Sequence, residues 1–221
     1  MTNSLPQIQA VIFDMDGLMF NTEDVFELSG TELVRRRGFE MTPELRNQMM
    51  GRRAKEAFDA MIQFLNLNES AAALQEESEE LFESYLDDHL APMPGLFQLL
   101  EHIEQHQLPK GVATSSSRSY LEEILGRFEL LSRFDHTLTA EDVSRGKPEP
   151  EIYLKAAAHF EIDPSQMLVL EDSGAGTAAA SAAGAVTVSI PHHHSASQNF
   201  EPATYIAESL IDPFILKCIS G

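Results

Sequence analysis

Asp14 and Asp16 stand two residues apart at the end of an apolar run, Ile8 to Phe13, broken only by Gln9, and Gly17 follows at once. A short apolar run of this kind predicts a strand buried on both faces, as in a parallel sheet. On extended backbone the two carboxylates point the same way, and the glycine lets the chain turn off. Carboxylates side by side repel, and one pKa rises unless a cation lies between them. Ligands of open parallel sheets bind beyond the carboxyl ends of the strands, which is where this pair falls. A plain Asp-Gly turn would also end a strand. A calcium loop does not fit, because its glycine comes three residues after the second acid and Gly17 comes one after.

Three further clusters follow apolar stretches. Thr114-Ser115-Ser116-Ser117 comes directly after Gly111-Val112-Ala113 and before a helical pattern. Hydroxyls and free backbone N–H groups at a helix start can hold an anion, and serine and threonine also favour such positions simply as caps. Lys147 lies in Gly146-Lys147-Pro148, with neither the hydroxyl residue nor the upstream glycine of a Walker loop. Glu171 and Asp172 end the run Met167 to Leu170. Gly174-Ala175-Gly176-Thr177-Ala178-Ala179 then has the form of a dinucleotide fingerprint, but about twenty positions on, where the ribose-binding acid belongs, the chain reads Pro191-His192-His193-His194-Ser195. Close packing of a helix on a sheet accounts for these small residues better. Four carboxylates and a phosphate can share one sheet edge only with a hard divalent cation, and Mg²⁺ suits.

The elements that must position these clusters fall into two patterns. From about Asp24 to Leu90 the periodicity is helical: Ala54, Ala57, Phe58, Met61, Ile62 and Leu65 form one stripe and Leu74, Leu81, Phe82, Tyr85 and Leu86 another. Phe26, Leu33 and Val34 mark a first helix ending near Gly38, and Thr42-Pro43-Glu44 starts a second. The glutamates between Gln75 and Glu83 read as a solvated face. From Ala91-Pro92-Met93-Pro94-Gly95 onward strand and helix alternate, with strands at 111–113, 136–139, 167–170 and 185–190 and a helical tail around Tyr205 to Ser209. The expected architecture is α/β, a doubly wound, Rossmann-like parallel sheet. Residues 1–20 and 91–221 make the catalytic core, and residues 21–90 make an inserted all-α helical cap on two linkers, placed to close over the strand ends.

The chain has 221 residues and a formal net charge of -20. That field repels nucleic acid and anionic membrane, so neither is expected as a partner, and an anion site must be cationic locally. One cysteine, Cys218, fits a reducing compartment. Met1 to Gln9 lacks the pattern of a signal peptide and no run reaches transmembrane length, so a cytoplasmic chain is expected, with a monomer favoured.

Taken together, Asp14-Met15-Asp16-Gly17, Thr114, Lys147 in Gly-Lys-Pro and Glu171-Asp172 resemble, in order, the four motifs of the haloacid dehalogenase superfamily, in its subgroup with a helical cap after the first motif. The resemblance covers essentially the whole chain. It implies Mg²⁺-dependent hydrolysis of a small phosphomonoester, a sugar phosphate among the candidates, through an aspartyl-phosphate. Asp14 is then the nucleophile, and Asp16 the acid to the leaving oxygen and base to water. Thr114, Ser115 and Lys147 hold phosphoryl oxygens, and the metal falls to Asp14, Asp16 (through its carbonyl), Asp172 and Glu171, the last directly or through water. Members that cleave carbon–halogen bonds lack the second Asp. Relatives often carry Asp where this chain has Asn21, and sugar phosphomutases carry His where it has Phe26, which favours hydrolysis over the mutase alternative. A silent phosphometabolite-binding module is the alternative of another class. Gly51-Arg52-Arg53 lies in the cap at a helix start, and Arg52 is the candidate contact for the far end of the substrate. His192 to His194 are adjacent and cannot all face one ion on extended backbone, so a substrate-side loop or plain surface is expected of them.

Overall fold

A computed structural model describes residues 6–49 and 54–221. The chain forms two compact units, Met1–Phe20 with Pro92–Gly221, and Asn21–Ala91.

The larger unit is built on a six-stranded sheet. Its strands are β1 (Ala10–Phe13), β2 (Lys110–Ala113), β3 (His136–Leu138), β4 (Met167–Glu171), β5 (Val186–Ser189) and β6 (Tyr205–Ile206). They lie in the order β3-β2-β1-β4-β5-β6, all parallel. β1 is wholly buried, as a central strand covered on both faces must be. Phe13 is in register with Val112 of β2 and Leu170 of β4. Asp14, one residue on, therefore lies level with Ala113 and Glu171. The strand order reverses between β1 and β4, which is where such sheets open a crevice.

The helices of this unit are α5 (Leu96–Gln105), α6 (Arg118–Arg127), α7 (Glu151–His159), α8 (Gly174–Ala183) and α9 (Pro213–Ser220). Leu96, Leu99, Leu100 and Ile103 form the buried stripe of α5 at the spacing of one helix face. Small residues let α8 lie close on the sheet: Ala179, Ala180 and Ala183 join Met167, Val169 and Tyr153 in one core cluster. The close packing expected of the small residues after β4 is thus made by these alanines of α8, while Ala175 in the Gly-Ala-Gly stretch is exposed.

The tail differs from its expected helix at Tyr205 to Ser209. Tyr205 and Ile206 instead pair with Val188 and Ser189 as an edge strand, with Thr204 N–H donating to Thr187 O and Ala207 N–H to Ser189 O. Both residues are good strand formers. The helix comes later, where Asp212 caps it by accepting from Phe214 N–H at 2.8 Å and Pro213 takes its first position.

In the smaller unit the regular elements among the described residues are all helices: α1 (Thr22–Arg36), α2 (Pro43–Met49), α3 (Ala54–Leu65) and α4 (Ala71–His89). Leu33, Val34, Leu45, Met61, Leu74 and Leu81 form their common core. The glutamate-rich face of α4 is solvated except at Glu77, which pairs with Arg36 at 3.0 Å and Arg37 at 2.6 Å. No helix among the described residues is long and apolar enough to cross a membrane.

Candidate active site

The end of β1 delivers Asp14 into a buried position, and its backbone N–H continues the ladder to Leu170 O at 3.0 Å. Lys147, from the loop before α7, sends its side chain back into the sheet edge. Its ammonium donates to Asp14 Oδ1 at 2.5 Å, Glu171 Oε1 at 2.7 Å and Ala113 O at 2.9 Å. All three of its donors are satisfied. Burial alone would lower the lysine pKa, but Asp14 and Glu171 outweigh it and hold the ammonium well above the usual lysine range. Burial pushes the Asp14 carboxyl well up, against the pull of Lys147 and with the help of Glu171, Asp172 and Asp16.

The loop that carries Lys147 is tied from behind. Glu151, in the first turn of α7, accepts from the N–H groups of Ser144 and Arg145, each at 3.0 Å. The peptide bond between Lys147 and Pro148 is cis.

Glu171, the last residue of β4, is fully buried. Its Oε1 receives both Lys147 and the Tyr153 hydroxyl, the latter at 2.5 Å. Its Oε2 receives the hydroxyl of Ser173 at 3.0 Å and the Ser173 N–H at 3.3 Å. Both oxygens are thus occupied by protein donors. A Cβ at Gly176 would lie 1.7 Å from Glu171 Oε1, so this glycine makes room for the carboxylate.

Asp172 is buried beside it and meets His192 Nε2 at 2.9 Å. The other ring nitrogen, Nδ1, accepts from His194 N–H at 3.2 Å. The ring proton is therefore on Nε2 and points at Asp172. His192 thus orients a carboxylate rather than lying on plain surface. Gly17 is required twice over: its φ is +78°, and a Cβ there would come within 2.5 Å of Asp172 Oδ2 and 2.7 Å of His192 Nε2.

Asp16 is half-buried and turned toward different partners, three hydroxyls from Thr114, Ser116 and Tyr120. Thr114 is buried at the end of β2, and Ser115 beside it is exposed. Arg52 lies outside the described residues.

Sequence reasoning missed Tyr153, Tyr120 and Ser173. Tyr153 falls on the apolar stripe of α7 and reads as core, and nothing in the spacing betrays its hydroxyl. Tyr120 lies in the first turn of a helix, where only the position of that helix on the sheet reveals its reach.

One carboxylate oxygen from each of Asp14, Glu171 and Asp172 lies within 4.8 Å of the other two, and all three residues are buried. An all-oxygen, anionic donor set of this size suits a hard divalent cation of the Mg²⁺ kind. Four carboxylates gather here, Asp14, Asp16, Glu171 and Asp172, and one ammonium serves two of them, Asp14 and Glu171, which is the charge balance of a site that takes up a further cation.

The model of the haloacid dehalogenase-like hydrolase family matches residues 11–190. The chain is 35% identical to validoxylamine A 7'-phosphate phosphatase of Streptomyces hygroscopicus subsp. limoneus, over 85% of this chain and 88% of that one. It is 29% identical to a phosphorylated carbohydrates phosphatase of Thermotoga maritima, over 80% and 82%. Its fold matches a HAD family hydrolase of Deinococcus radiodurans, solved with bound phosphate and sodium, at a TM-score of 0.78 over 92% of each chain and 23% identity. With its motif residues gathered at one sheet edge and the family match running from β1 past β5, the chain belongs to the haloacid dehalogenase-like hydrolases.

Proposed function

We propose that this chain is a Mg²⁺-dependent phosphatase of small phosphomonoesters, sugar phosphates among them, and that the phosphoryl group passes through Asp14. The observation that supports this most is the Lys147 ammonium held between Asp14 Oδ1 and Glu171 Oε1. A carboxylate attacks a phosphate dianion only where fixed positive charge screens the repulsion, and such catalysis is mostly positioning and electrostatics. The similarity to curated phosphatases points the same way.

In this reading an Asp14 oxygen forms a bond to phosphorus while the bond to the leaving oxygen breaks, and protonated Asp16 gives that oxygen its proton. Asp16, now a carboxylate, takes a proton from the water that attacks phosphorus. The bond to Asp14 breaks, phosphate leaves, and both side chains regain their starting state. Lys147 is set to hold a phosphoryl oxygen in exchange for one of its three present contacts, and Thr114, whose hydroxyl is here spent on Asp16, does so by the same exchange, with the exposed Ser115 beside them. Bound Mg²⁺ supplies Lewis-acid neutralisation of those oxygens, with Asp14, the Asp16 carbonyl and Asp172 to hold it. Glu171, whose oxygens are occupied, serves Lys147 and reaches a metal only through water. A reducing cytoplasm suits the single, buried Cys218.

The test is phosphate release from a panel of small phosphomonoesters, with Mg²⁺ and with chelator, beside Asp14→Asn. Release that needs both Mg²⁺ and Asp14 supports the reading. Undiminished release by Asp14→Asn overturns it, and isomerised sugar phosphate without release makes the chain a mutase.

A further inference from the structure

Three hydroxyls converge on one carboxylate. Asp16 Oδ2 accepts from Ser116 Oγ at 2.7 Å and from Thr114 Oγ1 at 3.3 Å, and Asp16 Oδ1 accepts from the Tyr120 hydroxyl at 3.2 Å. Asp14, two residues earlier, is held by an ammonium instead. The two carboxylates at the end of β1 therefore sit in unlike surroundings, one charged and one neutral.

Each hydroxyl is itself placed by local structure. Thr114 Oγ1 accepts from Ser116 N–H at 3.0 Å, which folds the chain after β2 so that both hydroxyls face Asp16. Ser116 O accepts from Ala140 N–H at 3.0 Å. Ser117 then caps α6 by accepting from Tyr120 N–H at 3.3 Å. The first turn of α6 is anchored by Arg118, which donates its N–H to Glu141 at 2.9 Å and its guanidinium to Asp142 at 2.6 Å. A capped and anchored first turn fixes the backbone from which the Tyr120 hydroxyl reaches Asp16.

A carboxylate offers about four acceptor positions. Two on Oδ2 and one on Oδ1 are used by described residues, which leaves one on Oδ1. We infer that Ser116 and Tyr120 are positioning residues for proton transfer by Asp16: they fix its carboxyl group so that the remaining Oδ1 position meets the leaving oxygen, and later the attacking water. This rests on the hydrolase reading above and adds to it the residues that aim the acid and base.

The test compares two esters that differ in their need for an acid. The best alkyl phosphate of the panel leaves as a strongly basic alkoxide and needs a proton, whereas p-nitrophenyl phosphate leaves as a stable phenolate and does not. For Tyr120→Phe and Ser116→Ala, kcat/KM on the alkyl ester is expected to fall about 10-fold or more. On the aryl ester kcat/KM is expected to stay within about threefold, because it reports the first, acid-independent transfer. Its kcat is expected to fall with a burst of nitrophenolate, because hydrolysis of the aspartyl-phosphate still needs the base. Ser116→Thr, which restores a hydroxyl, is expected to recover most of the alkyl activity. Equal losses of kcat/KM on both esters mean a merely structural role and overturn the inference alone, as does no loss on either. Failure of the unmodified protein to release phosphate from any ester with Mg²⁺ present overturns the hydrolase reading and this inference with it.

Discussion

Tyr153 donates its hydroxyl to Glu171 Oε1 at 2.5 Å, and neither residue has any exposed surface. The same oxygen receives Lys147. Tyr153 is thus the back wall of the lysine's seat, and its ring lies in the core cluster that joins α7 and α8 to the sheet. Tyr153→Phe keeps the ring and removes one donor from a buried carboxylate. Its expected cost is about 1–3 kcal/mol, read as a lower urea midpoint at unchanged slope. A midpoint equal to that of the unmodified protein would mean that the other donors to Glu171 suffice.

Gly176→Ala is expected to be far worse than its one added methyl suggests. The new Cβ would lie 1.7 Å from Glu171 Oε1 and 2.2 Å from Oε2. Glu171 has to leave its seat, and Lys147 loses a partner. Overpacking of this kind costs about 1–3 kcal/mol, and phosphatase turnover should fall with it. Gly146→Ala is the control, since nothing lies within 4 Å of a Cβ there. Similar melting and turnover in the two variants would refute the steric account.

Lys147→Met removes the ammonium shared by Asp14 and Glu171. Loss of one fixed donor to a developing anionic charge lowers kcat by roughly 10²–10³-fold, measured as phosphate release at saturating Mg²⁺. A mild effect would mean that a different group screens the phosphoryl oxygens.

Glu151 gives the fold a defined acid response. The N–H of Ser144 first, then Lys155 and the N–H of Arg145, hold its carboxyl at about 2, against an ordinary 4.5. A depressed folded pKa contributes stability that is fully present above 4.5 and is lost as pH falls toward 2. The difference in Tm between the protein and Glu151→Gln should therefore be largest above that range and shrink below it. A difference that does not change with pH would show that the backbone contacts to Ser144 and Arg145 do not depend on the charge.

In the helical unit, Arg37 binds Glu69 with two nitrogens, each at 2.7 Å, and Glu77 at 2.6 Å. Its side chain is 12% exposed while that of Glu69 is 37% exposed, so solvent screens part of the interaction. Arg37→Met is expected to lower stability by about 1–2 kcal/mol, with less effect in high salt. Calorimetry at two salt concentrations checks both parts.

The sheet edge was legible because strand ends in a parallel sheet write themselves as apolar runs that stop. β1 and β4 each stop at carboxylates, and β2 stops at hydroxyls, so three of the site's components announce themselves in one dimension. The supporting residues do not. Tyr153 and Tyr120 sit on helices whose periodicity reports burial and says nothing of a hydroxyl's target. His192 was visible as part of a histidine run, but its bond to Asp172 depends on the turn after β5. The tail was misread because a two-residue edge strand carries too little pattern to separate it from a helix, while the Asp212-Pro213 start signal lay just beyond.

Asn21 makes contacts that an aspartate at this position could not all make. Its N–H donates to Ala91 O at 3.1 Å and its Oδ1 accepts from Ala91 N–H at 2.7 Å, while its Nδ2 donates to His89 O at 3.2 Å. The last of these needs an amide. The first and last residues of the helical unit are thereby stitched to each other, and Phe20 is bridged to Pro92 on the other side of the boundary. The helical unit therefore begins and ends at a single point, and its two ends are fixed by one side chain. A change of length inside the helical unit then leaves its two ends together, and β1, which bears Asp14 and Asp16 at its end, keeps its register with β2 and β4.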